Sequence, residues 1–157
     1  MVSAKPENPM IEEVDTSFQQ AFEARLLASL REQQPQSNNT SFVLSASKPL
    51  AGIVGGLTAS TSYGWLCIKT LWVDKTCRGA GVGRALMQAA ERKALRTGCH
   101  GAWLDTSNPD AMAFYGRLGY KAFGQIGNDA DQYPPNHKRW FMKKTLAPSN
   151  VGEQGVG

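Results

Sequence analysis

Apolar residues recur at four-residue spacing at Phe18, Phe22, Leu26 and Leu30, which predicts a helix with one buried face. Thr16 or Ser17 can cap it, with Gln19 or Gln20 three residues on as the reciprocal partner. Before it, Met10 to Val14 reads as a first strand, and residues 1–9, with Pro6 and Pro9, as an unstructured leader. The almost wholly polar run 31–40, rich in Gln and Asn, predicts a loop able to cover or flank an entrance. The period then shortens. Phe42 to Ala46, Leu50 to Ser60 and Trp65 to Val73 read as three strands of an antiparallel meander, with turns at Ser47-Lys48-Pro49 and Thr61 to Gly64. Val82 to Thr97 returns to helical spacing through Leu86, Ala89, Ala90 and Ala94 and stops at Gly98. Ala102 to Thr106 predicts a short strand, Pro109 to Leu118 a helix, and Tyr120 to Ile126 and Arg139 to Leu146 two closing strands. The glycine-rich tail from Ala147 is expected to fray. The order fits a mixed α/β sheet with helices on its faces, in one domain over 10–146 between flexible termini at 1–9 and 147–157.

Composition changes this picture little. A chain of 157 residues builds one core that buries roughly two thirds of its unfolded surface. Lysine and arginine exceed acids by 17 to 13, with a modest cluster only at Lys138, Arg139, Lys143 and Lys144. That is read as solvated strand faces and not as a nucleic-acid surface. Cys67, Cys77 and Cys99 are odd in number and lack CxxC spacing, so neither a disulfide framework nor a metal site is encoded. With no apolar run of signal or membrane-span length, a cytoplasmic protein without a membrane partner is expected.

The chemistry begins at Arg78-Gly79-Ala80-Gly81-Val82-Gly83-Arg84, between the end of a strand and the start of a helix. Glycines at 79, 81 and 83 strip the turn of side chains, so consecutive N–H groups can close on an anion at the positive end of the helix. A polyphosphate is the expected guest. Neither possible register completes GxGxxG and no GK[ST] follows, so a dinucleotide fold or an NTPase is excluded.

The same loop matches [Arg/Gln]-x-x-Gly-x-[Gly/Ala] and resembles the pyrophosphate loop of the GNAT acetyltransferases. A second segment, Asn108-Pro109-Asp110-Ala111-Met112-Ala113-Phe114-Tyr115-Gly116-Arg117-Leu118-Gly119-Tyr120, is similar to that superfamily's Asn-x-x-Ala-x-x-[apolar]-Tyr-x-x-[apolar]-Gly-[Phe/Tyr] helix. The resemblance covers roughly residues 40–146. It implies the GNAT fold: a mostly antiparallel mixed sheet, flanked by helices, in which the strands ending at Val73 and starting at Ala102 run parallel and then splay apart. Acetyl-CoA, the implied cosubstrate, would lie in that opening.

Its pyrophosphate would meet the amides of Gly79, Ala80, Gly81, Val82, Gly83 and Arg84, with the side chains of Arg78 and Arg84 available; Arg84 is equally well a solvated helix residue. Its pantetheine arm would pair with the main chain of Leu71, Trp72 and Val73. Asn108 is compatible with a helix cap, a CoA contact or both. In relatives the tyrosine at the position of Tyr115 protonates the departing thiolate, a role open to a phenol of ordinary pKa ~10; the alternative is a packing tyrosine.

The base is less determined. Many relatives place a glutamate near the position of Cys67, and no Glu occurs between Glu32 and Glu91. Asp105 is then the nearest carboxylate in the expected place, either as base and substrate contact or as a structural aspartate. Asp74 faces the same choice. Cys67 could carry an acyl group, though buried apolar cysteine is commoner.

Gln132-Tyr133-Pro134-Pro135-Asn136-His137 resembles the Tyr-Pro-x-Gly-His loop of a bacterial GNAT subgroup, with Asn136 where glycine is common. Tyr133 and His137 would face the acceptor, His137 either contacting it, relaying a proton or serving only the loop. Trp65, Trp72, Tyr133 and Trp140 could wall a cationic substrate or belong to the core. The implied activity is acetyl transfer from acetyl-CoA to a primary amine of a small molecule by direct attack in a ternary complex. The rival readings are a protein lysine or N-terminal acetyltransferase and a non-catalytic acyl-CoA sensor. Relatives are often dimers, so a homodimer is compatible.

Overall fold

Thr40–Lys48 (β1), Gly52–Ser62 (β2) and Trp65–Val73 (β3) pair antiparallel as the meander expected from three strand-like runs separated by turns. The structure, a computed structural model, describes residues 7–33 and 39–147. The leader up to residue 6, positions 34–38 of the polar loop and the tail from 148 lie outside the described residues. Those described fall into two compact units divided between residues 36 and 37.

In the first unit the expected strand at Met10 to Val14 does not form, and those residues are irregular. Glu12 and Glu13 interrupt the apolar residues, and a five-residue segment makes a strand only against a partner ladder, which the described residues of its unit do not offer. Asp15 and not Thr16 or Ser17 starts the helical segment: its Oδ1 accepts the Ser17 N–H at 2.9 Å and caps a 3-10 turn over Thr16–Phe18. Helix α1, Gln19–Gln33, continues from it. The expected burial of its stripe is not seen, since no residue of α1 is buried and Phe22 is 53% exposed. Among the described residues of the unit the stripe packs on itself, with the Phe18 and Phe22 rings stacked 6.0 Å apart.

The second unit holds a six-stranded sheet in the order β1-β2-β3-β4-β6-β5, where β4 is Gly101–Thr106, β5 Lys121–Gly127 and β6 Lys138–Thr145. Helix α2, Val82–Arg96, and helix α3, Pro109–Arg117, follow β3 and β4. Leu57, Leu66, Ala102, Leu104 and Met142 from the strands meet Leu86, Met87, Ala90 and Ala94 of α2 in one buried cluster, which also takes in Tyr115 and Tyr120. Fully burying each Leu or Met in it stabilises the fold by about 1.5–3 kcal/mol. Gly98 ends α2 as expected, with φ +92°, and the Cys99 N–H reaches back to the Ala94 carbonyl at 2.9 Å.

Two irregularities in β3 build the site. Thr58 pairs with Thr70 but Ala59 pairs with Ile68, so Lys69 is an extra residue, a β-bulge. It moves the inward face from even to odd positions: Leu66 and Ile68 are buried before it, whereas Leu71 packs on the core after it. The second is the splay. β3 and β4 run parallel and pair only at Trp65–Gly101, Leu66–Ala102 and Cys67–Trp103, after which β3 continues to Val73 and β4 to Thr106 without pairing. The parallel, splayed pair in a mostly antiparallel sheet is the expected architecture.

Candidate active site

A cavity of about 620 Å³ opens where β3 leaves β4, bounded by the last residues of β3, the loop after it, the first turn of α2 and the length of α3. Gly55 lets α2 come close to the sheet: a Cβ there would stand 2.9 Å from Val82 Cγ1 and 3.1 Å from the Trp72 carbonyl oxygen. Gly83 does the same between the helices, where a Cβ would meet Phe114 Cζ at 3.2 Å.

Gly81, in the left-handed region at φ +85°, is the N-cap of α2 and supplies no side chain to its N–H groups. The first-turn amides therefore have no intrahelical acceptor and face the cavity with the positive end of the helix dipole. A Cβ at Gly79 or Gly81 would meet no protein atom within 4 Å, so the space beside both is open. This is a cradle shaped for an anion, and it fits the pyrophosphate of a CoA ester.

Of the residues expected around acetyl-CoA, Leu71, Trp72, Val73 and the loop from Arg78 to Arg84 except Ala80 line the cavity. Ala80 stands exposed outside its wall, because the turns at Gly79 and Gly81 present amides and not this methyl group. Arg78 folds back on the end of β3, its Nε donating to the Val73 carbonyl at 3.3 Å. Asn108 and Tyr115 line it from α3. Asn108 Oδ1 accepts the Asp110 N–H at 2.9 Å as the helix cap, which leaves its NH2 group for the cavity. Tyr115 is buried, its hydroxyl has no hydrogen-bond partner among the described residues, and burial pushes its phenol above the ordinary value. Cys77, Asp110, Phe114 and Arg117 also line the cavity and were not expected. Successive i, i+3 steps along α3 from Ala111 to Phe114 and on to Arg117 could have placed those two.

The residues expected on the acceptor side are elsewhere. Asp105 follows the last β3–β4 pair and is exposed, with Arg139 Nε 3.7 Å from its Oδ1. It faces Cys67 across the splay. Burial pushes the Cys67 thiol up, Lys69 opposes this, and the charge of Asp105 adds to it. Tyr133 is exposed, as is His137, whose carbonyl accepts the Asn128 N–H at 2.8 Å to close the loop before β6. Asn136 has φ +58°, a backbone that glycine adopts freely and asparagine tolerates, which explains the exchange noted at this position. Asp74 is a cap: its Oδ1 accepts from the N–H and hydroxyl of Thr76 at 2.9 and 2.8 Å, and these bonds hold its carboxyl below the usual range. Among the described residues no three His, Cys, Asp or Glu side chains cluster as metal ligands, and no helix is long and apolar enough to cross a membrane.

One buried group gave no expectation. Glu91, on α2, accepts the Tyr120 hydroxyl at 3.0 Å and the Lys144 Nζ at 3.0 Å on each oxygen. Its signal in the sequence is its register, since Met87, Ala90, Glu91 and Ala94 share one helical face.

A sequence model of the acetyltransferase (GNAT) family matches residues 8–120. An acetyltransferase of Agrobacterium fabrum is 41% identical over 75 residues, 48% of this chain and 55% of that protein, so the chain spans about half the length of that relative. The blasticidin-S acetyltransferase of Streptomyces morookaense is 36% identical over 95 residues, 60% of this chain and 67% of that one. Among solved structures, an Agrobacterium tumefaciens protein named as an acetyltransferase superposes with a TM-score of 0.75 at 28% identity, covering 88% of this chain and 99% of its own.

Proposed function

The chain belongs to the GNAT acetyltransferase family, and from that premise we propose that it moves the acetyl group of acetyl-CoA to a primary amine of a small molecule by direct attack in a ternary complex. The observation that carries this reading is the convergence, on one cavity, of the uncapped α2 N-terminus, the glycine loop and the unpartnered hydroxyl of Tyr115. Acetyl-CoA supplies an activated acyl carbon and a thiolate leaving group. The loop amides from Gly79 to Arg84 hold its pyrophosphate, assisted by Arg84. The main chain of Leu71 to Val73, freed from β4 by the splay, aligns the pantetheine arm.

As the amine nitrogen bonds the acetyl carbon and the carbon–sulfur bond breaks, Tyr115 gives its proton to the departing sulfur. A phenol raised by burial is fully protonated at neutral pH, the state a general acid needs. The proton lost by the amine passes to Asp105 directly or through water, with Arg139 Nε 3.7 Å from that carboxylate. The raised thiol of Cys67 is a poor nucleophile near neutrality, which favours direct attack over an acyl-enzyme. Tyr133 and His137 contact the acceptor. The substrate in the name of the Streptomyces relative supports an acceptor of small-molecule type.

The test is a panel of polyamines, amino sugars, amino-acid amides and a lysine peptide, incubated with acetyl-CoA and followed by thiol release. Turnover with small amines supports the reading. Turnover confined to the peptide would move the acceptor to protein, and acetyl-CoA binding without turnover on any amine would leave a sensor.

A further inference from the structure

Glu91 is the one charged residue buried among the described residues, 8% exposed. A buried ion pair is a weak source of stability, because desolvation consumes most of what the pairing gains and apolar side chains of similar volume serve as well. The contacts of Glu91 show a different use. Lys144 holds the carboxylate with its Nζ 3.0 Å from both oxygens, and Oε1 also accepts the Tyr120 hydroxyl at 3.0 Å. Tyr120 is 2% exposed, so its ring is fixed by core packing at one end and by this bond at the other. The ring meets Tyr115 edge to face with centroids 6.0 Å apart, and the Tyr120 N–H donates to the Tyr115 carbonyl at 3.0 Å. Among the described residues the Tyr115 hydroxyl has no hydrogen bond to aim it, so ring contacts set its direction, Tyr120 on one side and Phe114 at 5.3 Å on another.

We propose that Glu91 is a positioning residue for Tyr115: it anchors Tyr120 through the phenolic hydroxyl, and Tyr120 fixes the ring of Tyr115 at the cavity wall. This rests on the reading of Tyr115 as the proton donor. A carboxylate suits the task because it only accepts, so the Tyr120 hydroxyl has one direction in which to donate. Removing the anchor leaves the core filled and frees the angle between the two rings. A misplaced donor then slows proton transfer while the pyrophosphate cradle, built on other residues, keeps its grip.

The experiment is a double-mutant cycle on the full chain with acetyl-CoA and the best amine of the panel, or water as acceptor where no amine reacts. Tyr120→Phe removes one atom and should lower kcat about tenfold, the scale of a small misplacement of a reacting group, with the acetyl-CoA Kd within about twofold. In a Tyr115→Phe background the same change should alter kcat by less than about twofold, because the group it positions is gone. Glu91→Gln retains an acceptor and should keep kcat within about threefold of the parent, whereas Glu91→Leu should behave like Tyr120→Phe. Ring-labelled NMR gives a readout without turnover: the Tyr115 resonances should shift in Tyr120→Phe and Glu91→Leu and not in Glu91→Gln. Unmoved Tyr115 resonances, an unchanged kcat in Tyr120→Phe, or equal losses in both backgrounds would overturn the positioning role while leaving Tyr115 as donor. Full activity in Tyr115→Phe alone would overturn the donor reading, and the positioning role with it.

Discussion

The ring of Trp65 covers Gly101, its partner at the first rung of the parallel strand pair: a Cβ on residue 101 would overlap Trp65 Cζ3 and stand 2.7 Å from Cε3 and Cη2. The pair that opens into the site thus begins at a position where only hydrogen fits. Gly101→Ala should force the indole off its place and destabilise the fold by about 1–3 kcal/mol, the range for overpacking. Urea melts of the two proteins check this.

At the other end of β3, the cradle depends on Gly81. Valine there must adopt φ +85°, which a β-branched residue avoids, and its side chain enters the open space beside the α2 amides. Acetyl-CoA affinity should fall about tenfold or more, equivalent to about 1.4 kcal/mol. Calorimetry on a Gly81→Val protein with a native circular dichroism spectrum measures it, and an unchanged Kd would place the pyrophosphate elsewhere.

Tyr115→Phe removes one hydroxyl from a buried ring and leaves its packing with Phe114 and Tyr120. Turnover should drop roughly 10²–10⁴-fold, as for a lost general acid, with acetyl-CoA binding little changed. Steady-state rates beside direct binding separate the two, and a matching loss in both would make the tyrosine structural.

Alkaline stability should report the buried phenols. Burial raises Tyr115, and burial followed by the Glu91 charge raises Tyr120 further. Above about pH 10 the unfolded chain releases these protons and the folded chain keeps them, so the folded state binds more protons and stability falls as pH rises. Each phenol contributes up to about 1.4 kcal/mol per pH unit across that window. Denaturant melts from pH 9 to 11 should show the decline, and Tyr120→Phe should make it shallower by about one proton.

Asp105→Asn keeps volume and removes the proton acceptor. With an acceptor in hand, kcat should fall most at low pH, where the amine is most protonated, and acetyl-CoA binding should be unaffected. A pH–rate profile parallel to that of the parent would assign Asp105 to its ion pair with Arg139 alone.

Much of this arrangement is written in local pattern. The apolar, β-favouring run Trp65 to Val73 and the glycines from 79 to 83 specify strand, turn and helix because the side-chain preference and the conformational demand are intrinsic to those residues. The first unit shows the limit: Met10, Ile11 and Val14 give Met10 to Val14 a strand-like look, but pairing depends on a neighbour that composition does not name. The bulge at Lys69 is equally silent, since nothing in the composition of Thr70 to Val73 reveals that the inward phase has moved by one. Glu91 was legible only as a charge on an apolar helical face. Its partners stand 29 and 53 residues away, and their contact is a product of packing.

The position of β6 carries a last consequence, for the order of assembly. The last of the six strands in chain order, it lies between β4 and β5 and pairs with both, so until Lys138 to Thr145 is made β4 has only β3 beside it and β5 has no neighbour in the sheet. A chain interrupted before Lys138 leaves the β6-facing edge of β4 unpaired, a template on which other chains add. Lys144 is in the same strand, and the clamp on Glu91 closes with it. The nascent protein therefore completes its six-stranded sheet and gains the Lys144 contact to Glu91 in the same late step.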